Sequence, residues 1–120
     1  MRIRTLLATT AAAVMMTAGA HAQTVGVTDT SIKIGNTNPY SGPASVYSVI
    51  GKTISAYFKA VNAAGGVTSA DGKTRTVEFI SLDDGYSPPR TVEQVRKLVE
   101  QEKVAFLFQT LGTPTNSAIH

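Results

Sequence analysis

Apolar and polar positions change period several times along this chain, and each change marks an element. Ser31-Ile32-Lys33-Ile34-Gly35 alternates with the two-residue period of a half-buried strand, and Val25 and Val27 fit an extension of it. Asn36 to Pro43 is rich in Asn, Pro, Ser and Gly and is predicted to be a loop. From Val46 the period turns helical. Val46, Val49, Ile50, Ile54, Tyr57, Phe58 and Val61 fall on one stripe, with Ser48, Lys52, Ser55, Lys59 and Asn62 on much of the other face. Gly65-Gly66 can supply the left-handed residue that ends such a helix.

Asp71-Gly72 then predicts a tight turn, and Thr76 to Leu82 a second strand, whose apolar residues at 77, 79, 80 and 82 suggest burial on both faces. Ser87 is placed to cap a second helix opened by Pro88 and Pro89, where the missing N–H groups cost nothing. Its buried stripe is Val92, Val95, Leu98 and Val99. Val104 to Phe108 is continuously apolar, the pattern of a central parallel strand covered on both sides. A loop over 109–113 leads to Thr113-Pro114, read as N-cap and first residue of a third helix. The order β-α-β-α-β-α predicts the α/β class, an open parallel sheet with right-handed crossovers and helices on both faces. Three such units ending inside a helix describe part of a domain.

The first 22 residues change the charge picture. Arg2 and Arg4 precede an apolar stretch from Leu6 to Ala20, and Ala20-His21-Ala22 forms an A-x-A site. A charged start, a short apolar run and small residues at the cleavage site describe a secretory signal peptide cut after Ala22, implying a periplasmic location. At about 15 mildly apolar residues, the run is too short for the roughly 20 that span a bilayer. With Arg2 and Arg4 removed, the formal charge of +3 falls by two, to +1. No basic run remains, so nucleic acid is not an expected partner. The chain has no Cys, so a secreted product must rely on core burial rather than disulfides.

In an open parallel sheet, ligands bind beyond the carboxyl ends of the strands. That puts loops 36–45, 83–87 and 109–113 on one rim. Leu111-Gly112-Thr113 presents a helix start whose free N–H groups favour a carboxylate, Gly112 admits close approach, and Thr113 can add a hydroxyl or simply cap its helix. Ser41 to Tyr47 carries a hydroxyl and an aromatic ring that can cover an apolar ligand tail or pack at the helix start. Tyr40 and Tyr86 are weaker candidates. Asp83-Asp84 ends a strand before a helix start, which favours turn and capping duty over acid–base or metal chemistry. No nucleophile elbow, phosphate-binding loop or dinucleotide fingerprint is present, and His120 is the sole His beyond residue 22. No catalytic residue, metal or cofactor is expected.

Ser41-Gly42-Pro43, Val61-Asn62-Ala63-Ala64-Gly65-Gly66-Val67, Asp83-Asp84, the Val-rich helix opened by Pro, and Leu111-Gly112-Thr113-Pro114-Thr115-Asn116-Ser117 occur in the order of a known family. Together they resemble the leucine/isoleucine/valine-binding proteins, type I periplasmic binding proteins of branched-chain amino acid ABC transporters. The resemblance covers residues 28–120 and implies that 23–120 is part of an N-terminal lobe. It implies a two-lobed protein that closes on its ligand and hands it to a membrane permease. It further implies that Thr113, flanked by Gly112 and Pro114, holds a ligand carboxylate, that Tyr47 covers the ligand side chain, and that Ser41 and Leu111 lie in the same site. Several members carry a Cys after the second strand and another before the ligand hydroxyl; this chain has neither. Its 36–40 segment is also bulkier and more polar than the family's, which leaves the ligand open between a branched-chain amino acid and another small carboxylate. A sensory domain on the same fold and a secreted α/β enzyme are the other classes weighed.

Overall fold

The computed structural model describes residues 24–120, so the signal-peptide reading lies outside the described residues. Strand β1 spans Ser31–Asn38, helix α1 Ser48–Ala63, strand β2 Val67–Thr68 and strand β3 Thr74–Asp83. Helix α2 covers Pro88–Arg96 and runs on as a wider turn of helix over Lys97–Gln101. Strand β4 covers Phe106–Leu107 and helix α3 Thr113–Ser117. The sheet order is β2-β3-β1-β4. β1 pairs in parallel with both β3 and β4, while β2 folds back antiparallel on β3 through the 69–73 turn. The expected parallel sheet therefore carries one antiparallel hairpin on its edge.

Alternating β1 residues show which helix covers which face. A side chain at Gly35 would meet Leu98, Val104 and Leu107, so this face is packed under the α2 segment. Asn38 instead reaches the carbonyl of Tyr47 on the α1 side, and Asn62 of α1 bonds both the N–H and C=O of Val77. Helices lie on both faces, as the alternation of elements requires. Ile34, Val77, Leu98 and Val104 form the buried apolar centre. Phe58 of α1 adds contacts with Phe79 and Phe108, at ring separations of 5.3 and 6.0 Å.

Four expectations need correction. β1 continues through Asn36, Thr37 and Asn38, all fully buried, where a loop was predicted. The amide of Asn36 donates to the Phe108 and Gln109 carbonyls and accepts from Ser81, so Asn36 is matched inside the sheet, whereas the Thr37 hydroxyl and the Asn38 amide oxygen are buried without a partner among the described residues. Val27 does not extend β1; it turns back to form an antiparallel bridge with Ile32. Among the described residues β4 is the outer strand, paired with β1 alone and with Phe106 50% exposed, where a strand covered on both sides was predicted. Its ladder still reaches beyond two residues, because Ala105 N–H bonds Lys33 O and Phe108 N–H bonds Gly35 O. Finally, the predicted buried stripes are narrower than drawn: Val46, Val49, Tyr57 and Val99 are exposed, while Leu98 is fully buried.

Candidate functional site

The three parallel strands end together. Asn38 is paired with Asp83 in register, and the loops leaving β1, β3 and β4 share that rim. Chain order sets the geometry. From β1 the chain crosses to β3 on one side, then passes back over β1 to β4 on the other. The loops after β1 and β4 thus diverge at the switch point where such sheets open a crevice. Ser41 and Tyr47 follow β1, and Leu111, Gly112 and Thr113 follow β4. Loops 84–87 and 109–113 are tied to β1 by bonds from Asp84 N–H to Asn38 O (3.3 Å) and from Leu111 N–H to Thr37 O (3.4 Å). A mostly apolar cleft of about 270 Å³, lined by Val49, Ile50, Thr53, Ile54 and Gln109, lies between α1 and the loop after β4.

Gly112 has φ 109° and is the N-cap of α3; Thr113 is the first helical residue, which corrects its predicted capping role. A left-handed cap excludes a β-branched residue. A side chain at 112 would also stand 2.5 Å from the Tyr86 ring and 2.6 Å from the Thr115 hydroxyl. Thr115, fully buried, turns its hydroxyl back to the carbonyls of Leu111 (2.5 Å) and Gly112 (2.8 Å). That leaves the Thr113 side chain exposed and without a hydrogen-bond partner among the described residues. Leu111 is half-buried.

Tyr47 closes a short 3-10 turn and is 53% exposed. Ser41 is exposed but already engaged: its N–H and hydroxyl both donate to Asp83, at 3.1 and 2.5 Å. Asp83 also accepts from the Tyr40 and Gly85 N–H groups and meets the Arg90 guanidinium at 3.2 Å. Burial on its own raises the Asp83 pKa; the bonds from the Ser41 hydroxyl and the Gly85, Ser41 and Tyr40 N–H groups outweigh it and bring the value down to about 2. Asp84 is fully buried, accepting from Tyr86 N–H and the Thr91 hydroxyl. Ser87 occupies the cap position of α2 as predicted, but its side chain makes no cap bond.

Two residues that the sequence offers only as weaker candidates are built into the rim. Tyr86 is held at φ 60° and lays its ring on Gly112. Tyr40 passes beneath α1 where Gly51 leaves room, and its hydroxyl lies 2.5 Å from Ser81. The signal for this buried polar network was the alternation Ile34-Asn36-Asn38, which keeps the period of a strand. Among the described residues no group of three or more His, Cys, Asp or Glu side chains could hold a metal ion.

The sequence profile of the family described as periplasmic binding protein matches residues 31–120. The chain belongs to this family. A solved structure described as a possible leucine/isoleucine/valine-binding protein from Rhodopirellula baltica is similar to this periplasmic binding protein at 30% identity and TM-score 0.64, over 81% of this chain and 25% of that one. A fatty acid ABC transporter substrate-binding protein from Thermomonospora curvata is similar at 31% identity and TM-score 0.63, over 81% and 23%. A branched-chain amino acid transporter substrate-binding protein from Streptococcus pneumoniae, in complex with isoleucine, is similar at 27% and 0.63, over 73% and 24%. The chain spans about a quarter of the length of these relatives. No curated protein matches it significantly.

Proposed function

We propose that this chain forms part of the N-terminal lobe of an extracytoplasmic solute-binding protein that captures a small carboxylate-bearing ligand for an ABC importer. The observation that carries this reading is the switch point: two loops with free polar and aromatic groups diverge from the carboxyl ends of β1 and β4. The exposed Thr113 hydroxyl and the backbone around Gly112 hold the ligand carboxylate, with Leu111 beside them. Tyr47 covers the ligand's apolar part, and the Ser41 turn borders the site. The relatives of known description carry amino acids or fatty acids, which share a carboxylate on an apolar body. A second lobe completes the cleft, and a membrane permease receives the loaded protein. Residues 1–22 direct export to the periplasm and are removed.

The test is a thermal-shift screen of the complete protein with leucine, isoleucine, valine, phenylalanine, benzoate and octanoate. A bound ligand raises the midpoint by mass action. Thr113→Ala weakens the binding of every ligand found in this way by about tenfold, the worth of one hydrogen bond to a charged group. Unchanged affinity in Thr113→Ala removes that residue from the site, and no midpoint shift with any carboxylate removes the reading.

A further inference from the structure

Resting on that reading, we propose that Asp83 is the positioning residue of the ligand site, and that Ser41 acts through Asp83 rather than by touching the ligand. Sequence reasoning offers Ser41 as a hydroxyl for the ligand. In the structure that hydroxyl is spent, donating to the Asp83 carboxylate at 2.5 Å. The same carboxylate takes the N–H groups of Tyr40, Ser41 and Gly85 at 2.9, 3.1 and 3.0 Å. Four donors from two different loops therefore converge on one side chain, with Arg90 supplying the counter-charge from α2. Charge-assisted bonds of this kind are about twice as strong as neutral ones. They lock the turn after β1 to the turn after β3 at the end of the sheet.

The consequence concerns Tyr47 and Tyr86. The 40–42 turn leads into the short helical turn that presents Tyr47, and Gly85 precedes Tyr86, whose ring rests on Gly112. One carboxylate thus sets the entry of the segment that presents Tyr47 and of the segment whose Tyr86 ring backs Gly112. Ordered loops bind more tightly because their ordering is done before the ligand arrives.

The experiment is a double-mutant cycle on affinity in the complete protein, using whichever of leucine, isoleucine, valine, phenylalanine, benzoate or octanoate raises the wild-type midpoint. Asp83→Asn weakens binding about tenfold and Ser41→Ala about threefold, as expected for loss of one or more charge-assisted bonds. The double variant binds no more weakly than Asp83→Asn alone, because Ser41 has nothing left to act through. The loss in Ser41→Ala is the same factor for every ligand that binds. Additive losses, a Ser41→Ala effect that differs between ligands, or none at all would overturn the assignment. Ser41 is exposed, so Ser41→Ala folds and gives a result even if Asp83→Asn does not. If no carboxylate binds the wild type, the solute-binding reading itself fails; if one binds and the cycle is additive, only the role of Asp83 and Ser41 fails.

Discussion

The two ends of the sheet use polar residues in opposite ways. At the carboxyl end most buried polar groups are neutral: Asn36, Thr37, Asn38, Thr91 and Thr115 are all fully buried, with buried Asp84 and the half-buried Asp83, paired with Arg90, as the charged exceptions. Most of them bond to backbone groups of neighbouring loops, as Asn36 does to Phe108 and Gln109, and Thr115 to Leu111 and Gly112; the Thr37 hydroxyl has no partner among the described residues. At the amino end, polar groups pair as ions, exposed apart from the buried Arg75. Lys73 meets Asp29 at 2.6 Å, and Arg75 makes a two-pronged bridge to Asp71 while its Nε donates to Thr28 O. The first pattern fixes loops in unusual conformations, including left-handed Tyr86 and Gln109. The second staples a hairpin to the start of β1. Backbone held in sparsely populated conformations by internal bonds is what a preformed binding rim requires.

Substitutions can break this contrast, beginning with the largest effect. Asp84→Ala removes the acceptor for Thr91 and for the N–H of strained Tyr86 inside a fully buried pocket; the loss is about 3 kcal/mol by urea denaturation. A loss below about 1 kcal/mol would mean that the rim is not held from within. Gly112→Ala places a methyl against Tyr86 in a left-handed backbone position and costs about 2 kcal/mol, read from the same transition. Acid titration gives the next effect. The Asp83 pKa lies below its ordinary 3.8, at about 2, so its contribution is fully present above pH 4 and is lost as pH falls from there towards 2. Asp71 is depressed too, first by its Arg75 bond. Asp83→Asn and Asp71→Asn therefore each flatten part of the acid limb of the stability curve. The smallest effect belongs to Lys73→Ala. Its exposed pair with Asp29 leaves the thermal midpoint unchanged in about 0.15 M salt, where the Debye length is about 8 Å.

The sequence carried the element order and the rim because both follow from periodicity. Strand and helix periods differ enough to be separated by eye, and the β-α alternation forces the strand ends to one side. Prolines 88 and 114 marked helix starts correctly to within a residue. What it concealed were positions where a polar residue is buried with a partner far along the chain. Asn36 reads as a turn former because its partners Ser81, Phe108 and Gln109 lie at least 45 residues away. Thr113 reads as a cap because threonine suits that position, but Gly112 can adopt the left-handed angle and Thr115 can bond backward. Tertiary contacts outweighed local propensity at Asn36, whereas at Thr113 a competing local arrangement did so.

In the proposed function, ligand binds at the carboxyl end of the sheet and not at the amino end, where Asp29, Asp71, Lys73 and Arg75 pair. Amide hydrogen exchange on the complete protein, with and without a saturating ligand from the screen, tests it directly. Slowed exchange is expected in residues 39–47, 84–87 and 109–116, with 24–30 and 69–75 unchanged. Protection confined to 24–30 and 69–75, with the rim loops unaffected, would contradict it.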